Sequence, residues 1–302
     1  MAKELSEYRH FMKKEEMHKA LNSLAGILSG VAADGAVTED ESNEIHNWYS
    51  LHEHLMKIHP FNEILSALDV AFADDVLDIE EINGALWLCQ RFLETKHEKL
   101  YFDCITSQIQ QLEGMLHGMI SDGVISDDEI SALNTWLNDN DHLSGIYPFD
   151  EVYSLLLAAK EDGIISNDER NMLKAFFATF VDTRVSFNIH ESEVAGLQKQ
   201  YSIGGICAVC PEIVTKGKTF CFTGVSKKAT RNEIAEIICN SGGHYNDRVT
   251  AKTDYLVVGA DGNPCWAFSC YGRKVEKAVD LRKEGHHITI VHEYDFWDEV
   301  NP

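Results

Sequence analysis

Apolar residues recur at three- and four-residue intervals through roughly the first 180 positions, as in Ile130, Leu133, Trp136 and Leu137. This is the spacing of one helix face. Four times the helical rhythm breaks at an acidic turn and restarts behind a capping residue. The turns are Asp34-Gly35-Ala36-Val37, Asp74-Asp75-Val76-Leu77, Asp122-Gly123-Val124-Ile125 and Asp162-Gly163-Ile164-Ile165. Thr38, Asp78, Ser126 and Ser166 follow as N-caps, with Glu41, Glu81, Glu129 and Glu169 three residues further on. That pairing is a capping box, in which hydroxyl or carboxylate and glutamate satisfy each other's backbone donors. Gly at the second turn position tolerates the positive φ that ends a helix. The second turn departs from the others, with Asp75 in place of Gly.

The spacing of these turns reveals a duplication. Asp34 recurs as Asp122, Asp74 as Asp162, Trp48 as Trp136 and Pro60-Phe61 as Pro148-Phe149, each 88 residues on. A pair of helical hairpins has been copied in tandem. The pattern predicts about eight helices over 10–182, arranged as four antiparallel hairpins in two units, 18–95 and 106–182. Residues 183–215 are less patterned and read as a linker.

From residue 216 the rhythm changes. Short apolar runs at Thr219–Thr223, His244-Tyr245, Tyr255–Val258 and Ile288–Val291 alternate with helical stretches near 230–240, 268–284 and 293–300. The order βαββαβα implies a parallel sheet covered on both faces. Thr230 and Glu233 form another capping box, and Gly242-Gly243 and Gly285 mark helix ends.

Charge separates the two regions. The chain has 302 residues and a net charge of −23. Residues 1–185 hold 13 basic and 34 acidic side chains, whereas 216–292 hold 12 basic and 8 acidic. The acidic part repels nucleic acid, and only the C-terminal part has a sign that favours phosphate. No run approaches the roughly 18 apolar residues of a membrane span. Eight cysteines without a secretory signal point to a reducing, cytoplasmic setting.

In the C-terminal third, Thr223-Gly224 at a strand end, Arg231, Gly242-Gly243, Gly272-Arg273-Lys274 and a late Trp297 occur in the order of a BRCT domain. The segment, about 216–300, most closely resembles the domain at the C-terminal end of NAD-dependent DNA ligases. The resemblance implies a four-stranded parallel sheet and a phosphate site. Thr223 supplies a hydroxyl, Gly224 a backbone N–H unshielded by a Cβ, and Lys274 the balancing charge near a helix start. Arg231 is a second cation, with Arg273 and Lys277 auxiliary. The ligand implied is a DNA 5′ end or a phosphoprotein. The aromatic stretch 263–271 forms either a wall beside that phosphate or an extra packed loop.

The acidic helical pattern over about 18–182 is similar to TerB-like domains, the tellurite-resistance and stress-associated modules. By that resemblance Asp34, Glu41, Asp122, Glu129, Asp162 and Glu169 would hold a weakly bound divalent metal. Capping and turn chemistry account for the same acids. An EF-hand is excluded: with Gly at loop position 6, position 1 falls on Gly30, Gly118 or Ala158 and position 3 on Ala32, Ile120 or Lys160. Lys160-Glu161-Asp162-Gly163 matches a ligase nucleophile motif but coincides with the repeat's own turn, in a region without strands for a nucleotide fold. Cys207-x-x-Cys210 lacks a well-spaced second pair, since Cys265 and Cys270 have four residues between them, so reduced thiols are expected rather than zinc.

No Ser/His/Asp set, Walker loop or His-Glu-x-x-His helix is present. The expectation is therefore a non-enzymatic adaptor without a cofactor. It would dock on phosphate, recruit a protein partner through the acidic helices and serve DNA maintenance, stress response or phage defence. A homo-oligomer is compatible with this reading. The alternative is a metal-binding stress protein whose C-terminal domain only assembles subunits.

Overall fold

A computed structural model describes residues 2–74, 77–94, 104–160, 163–183, 186–200, 207–208, 211–226, 228–259 and 273–300. The helical region contains α1 (Ala2–Val31), α2 (Glu39–His52), α3 (Phe61–Ala71), α4 (Ile79–Glu94), α5 (Cys104–Ile120), α6 (Asp127–Asp139), α7 (Phe149–Ala159) and α8 (Asn167–Phe177). Helix α9 (Glu191–Gln200) lies inside the segment that the sequence reading left as linker. Then follow β1 (Thr219–Thr223), α10 (Arg231–Asn240), β2 (His244–Tyr245), β3 (Tyr255–Val258), α11 (Arg273–Lys283), β4 (Thr289–His292) and α12 (Glu293–Val300).

The predicted caps are in place. Thr38 and Glu41 complete a full capping box. Glu81, Glu129 and Glu169 accept from the backbone N–H of Asp78, Ser126 and Ser166, whose side chains accept in return. Gly35 and Gly123 take φ of +78° and +82° at the turns. Helices α3 and α7 begin and end 88 residues apart, as the duplication requires.

The chain divides into two compact units, Met1–Trp136 with Arg170–Gln198, and Leu137–Glu169 with Lys199–Pro302. The first unit packs α1 to α4 around Leu24, Leu28, Ile45, Phe61, Leu65 and Ile82. Within it, α1 and α5 cross backbone to backbone. A Cβ on Gly26 would lie 2.8 Å from the Gly114 Cα, and one on Gly30 would lie 3.0 Å from the Gly118 Cα. Gly26 and Gly114 are duplicates of each other, as are Gly30 and Gly118. Asn22 hydrogen-bonds to Gln110 at the same 88-residue offset, so the two copies of one helix face each other. Glu44, buried on α2, accepts from His117 and from the Ser186 hydroxyl and the Phe187 and Asn188 N–H groups. Burial alone would raise its pKa, but these donors, His117 foremost, hold it below the ordinary value.

The second unit carries a four-stranded, fully parallel sheet in the order β2-β1-β3-β4. One face packs Cys221, Leu256 and Ile290 on Val275, Ala278 and Leu281 of α11. The other packs Phe220, Phe222 and Val257 on Ile234 and Ile238 of α10 and on Phe296 and Trp297 of α12. Trp297 is a core residue. Helix α7 falls in this unit, and Arg282 of α11 is buried against its Glu151 and Asp150.

Cys207 is buried and disulfide-bonded, where reduced thiols were expected. The spacing of cysteines in a sequence does not distinguish a paired sulfur from a free one. Cys210, Cys265 and Cys270 lie outside the described residues, as does the aromatic stretch 263–271. Among the described residues no helix is long and apolar enough to cross a membrane.

Candidate functional site

Strand β1 delivers the site. Cys221 packs on the α11 side of the sheet, and strand alternation places Thr223 on that same side. The strand ends at Gly224, whose φ of +77° belongs to the left-handed region that glycine tolerates. The Gly259 N–H donates to the Thr223 carbonyl at 2.9 Å, which fixes the strand end against β3.

Two cations bracket Thr223 and Gly224. Lys274, in the first turn of α11, donates from Nζ to the Phe222 carbonyl at 2.9 Å. Arg231, the first residue of α10, donates from Nη2 to the Gly224 carbonyl at 3.2 Å. The Thr230–Glu233 capping box sets the start of α10 and so the position of Arg231. Burial raises the Cys221 thiol pKa, while the Lys274 charge and, less strongly, Arg231 oppose it. Both cations thus act on the same few ångströms of β1. Lys277 is exposed on α11, and the Arg273 side chain lies outside the described residues.

Tyr245 of β2 is a member of this neighbourhood that the sequence reading passed over. Its hydroxyl is buried and lies close to Asp247. Burial first, then the charges of Asp247 and Cys221, push its pKa up to about 12. It therefore stays a hydroxyl, a donor beside Arg231 and Cys221. The strand was read from sequence, but a two-residue run does not mark which of its side chains turns towards β1. Val225, 61% exposed, adds an apolar step next to Gly224.

The acidic turns of the helical unit also converge. Glu41 is raised to about 7 and Glu129 to about 8, in each case chiefly by burial, with neighbouring acids of the duplicate turn adding to it. Asp122 is raised by burial and by Asp34 and Asp40. So Asp34, Glu41, Asp122 and Glu129 share one region. Their oxygens serve the turns: Asp34 accepts from the Ala36 N–H and Asp122 from the Val124 N–H. Glu169 caps Ser166, and Asp162 lies outside the described residues. Among the described residues no group of three or more His, Cys, Asp or Glu is placed to hold a metal ion.

Residues 210–298 match the family model of the BRCA1 C Terminus (BRCT) domain. The chain is also similar, over part of its length, to bacterial DNA ligases. The DNA ligase of Fervidobacterium nodosum is 40% identical over 83 residues, which is 28% of this chain and 10% of the ligase. That of Aquifex aeolicus is 52% identical over 48 residues, or 16% of this chain and 7% of the ligase. That of Listeria monocytogenes strain HCC23 is 30% identical over 135 residues, or 44% of this chain and 19% of the ligase. The chain thus spans a fifth or less of the length of these relatives. No solved structure matches it.

Proposed function

We propose that this protein, whose residues 210–298 form a BRCT domain, is a non-enzymatic adaptor that grips a phosphate group at the end of β1. The observation that carries this reading is the pair of cations around one strand end. Lys274 and Arg231 reach the carbonyls on either side of Thr223, beside an exposed glycine backbone. Charge-assisted donors converging on one point are what a tetrahedral oxyanion requires. The ligase relatives favour DNA, so the ligand is a 5′-phosphorylated end. The acidic helices repel the duplex and leave their own surface for a protein partner. Their TerB-like pattern links that partner to stress response or defence.

Binding of a fluorescent duplex at low ionic strength, with and without a 5′ phosphate, tests the proposal. The phosphorylated end should bind about tenfold tighter or more, in line with one or more charged hydrogen bonds. Thr223→Val and Lys274→Ala should erase the difference. Equal binding of both duplexes, unchanged in the variants, would refute the site. A preference for a phosphopeptide over the duplex would keep the site and replace the ligand.

A further inference from the structure

The helical unit contains a cleft of about 320 Å³ that the duplication makes informative. It opens between α1, α2 and α5, with Phe180 and Asp182 at one side. Its frame has been kept in both copies: Trp48 corresponds to Trp136, Gly114 to Gly26 and Phe180 to Phe92. Its chemistry has not. Lys19, Glu44, His52, Glu113 and His117 line the cleft, whereas the positions 88 residues away hold Ser107, Ala132, Asn140, Ala25 and Ser29. Each of these five has an uncharged residue at its duplicate position, whereas Asp182 of the same lining corresponds to another acid, Glu94, and Glu16 to Cys104. Packing alone asks the same of both copies, so the difference points to a ligand.

The state of each group identifies that ligand's class. Glu44 is saturated by His117 and the 186–188 segment and has little to offer. His52 Nδ1 lies 2.8 Å from the Trp48 carbonyl, which fixes the proton on Nδ1 and leaves Nε2 as an acceptor. Burial lowers the His52 pKa, so the ring is neutral at pH 7. Glu113 receives no hydrogen bond among the described residues, and burial raises its pKa although Lys19 opposes the shift. Lys19 is the one cation that offsets the burial of this carboxyl. The cleft therefore presents acceptors, Glu113 and His52 Nε2, with Lys19 as the one ammonium donor among its described lining residues. Its volume sits at the small end of ligand cavities, about 300–1,000 Å³.

We propose that this cleft binds a small organic cation carrying an ammonium or guanidinium group, with Glu113 as counter-ion and His52 Nε2 as a second acceptor. The long-range field agrees, because the surrounding region is strongly acidic and concentrates cations. The cation is either a free metabolite-sized amine or a basic side chain presented by a peptide.

Calorimetric titration of the full chain at low salt tests this with agmatine, with a short peptide of one Arg among glycines, and with glutarate as an anionic control. One cationic probe should bind stoichiometrically, and whichever binds tighter identifies the source. Glu113→Gln should weaken binding about tenfold or more. Lys19→Ala should tighten it several-fold, by removing the competing ammonium. Glu63→Gln removes the same charge from an exposed site on this unit and should leave binding unchanged. No heat from either cation, tighter binding of glutarate, or equal losses in Glu63→Gln and Glu113→Gln would overturn the proposal.

Discussion

The Arg282 guanidinium and the Glu151 carboxylate, 131 residues apart in sequence, meet in a bidentate pair with Nε–Oε1 at 2.5 Å and Nη2–Oε2 at 2.9 Å. Both side chains are almost wholly buried. Arg282 also donates to the Ile288 carbonyl at 2.5 Å, tying the end of α11 to the start of β4. A lone charge left in such a place is costly, and losing one partner of a buried pair costs about 3–5 kcal/mol. Arg282→Ala and Glu151→Ala should each destabilise the second unit by that order in urea denaturation. The double variant should lose far less than the two losses together. Strict additivity would show that the pair is not coupled.

Buried carboxylates should give the helical unit a distinctive pH response. Glu129 is raised from 4.5 to about 8 and Glu41 from 4.5 to about 7. Each binds its proton more tightly folded than unfolded. The stability this contributes is complete below about pH 4.5 and is lost as pH rises through 7 and 8. Glu44 has the opposite sign, stabilising above its ordinary pKa and failing in acid. Glu129→Gln preserves a capping side chain. It should be more stable than the parent at pH 8, by an order of 1–3 kcal/mol, and similar near pH 4. Parallel melting-temperature profiles for the two proteins between pH 4 and 8 would contradict this.

The helix crossing makes a sharp contrast between glycines. A Cβ on Gly26 would lie 2.3 Å from the Gln111 carbonyl oxygen, a backbone atom that cannot swing aside. Gly26→Ala should cost about 1–3 kcal/mol or more through overpacking. Gly84, inside α4, would have nothing within 4 Å of its new methyl. Gly84→Ala should gain roughly 0.5–1 kcal/mol from helix propensity. Chemical denaturation of the two variants settles the sign of each.

At the proposed phosphate site the exposed Arg231, held by the Gly224 carbonyl, is expected to add charge more than directional contact. Arg231→Ala should weaken phosphorylated and unphosphorylated duplexes to a similar extent. It should also lower the slope of log affinity against log salt by about 1. A loss confined to the phosphorylated end would instead give Arg231 a direct role beside Lys274.

Much of this was legible in local pattern. The four turns could be read because cap and glutamate lie three residues apart, within reach of one helical turn. Thr223, Gly224, Arg231 and Lys274 stood out because they occupy the ends of elements, where backbone donors and carbonyls are left open. Tyr245 did not, since β2 has only two residues and takes its register from β1.

The sequence by itself determined most of the elements, though not α9, together with the duplication, the parallel α/β order and the sign of charge on each half. All of these follow from short-range spacing, capping and composition. Only the tertiary structure decided which distant groups share a place: Arg282 with Glu151, Glu44 with His117 and the 186–188 backbone, Lys274 with the Phe222 carbonyl. Those partners are separated by 52 to 144 residues and are chosen by packing and by the need to satisfy buried charge. No periodicity along the chain encodes that choice.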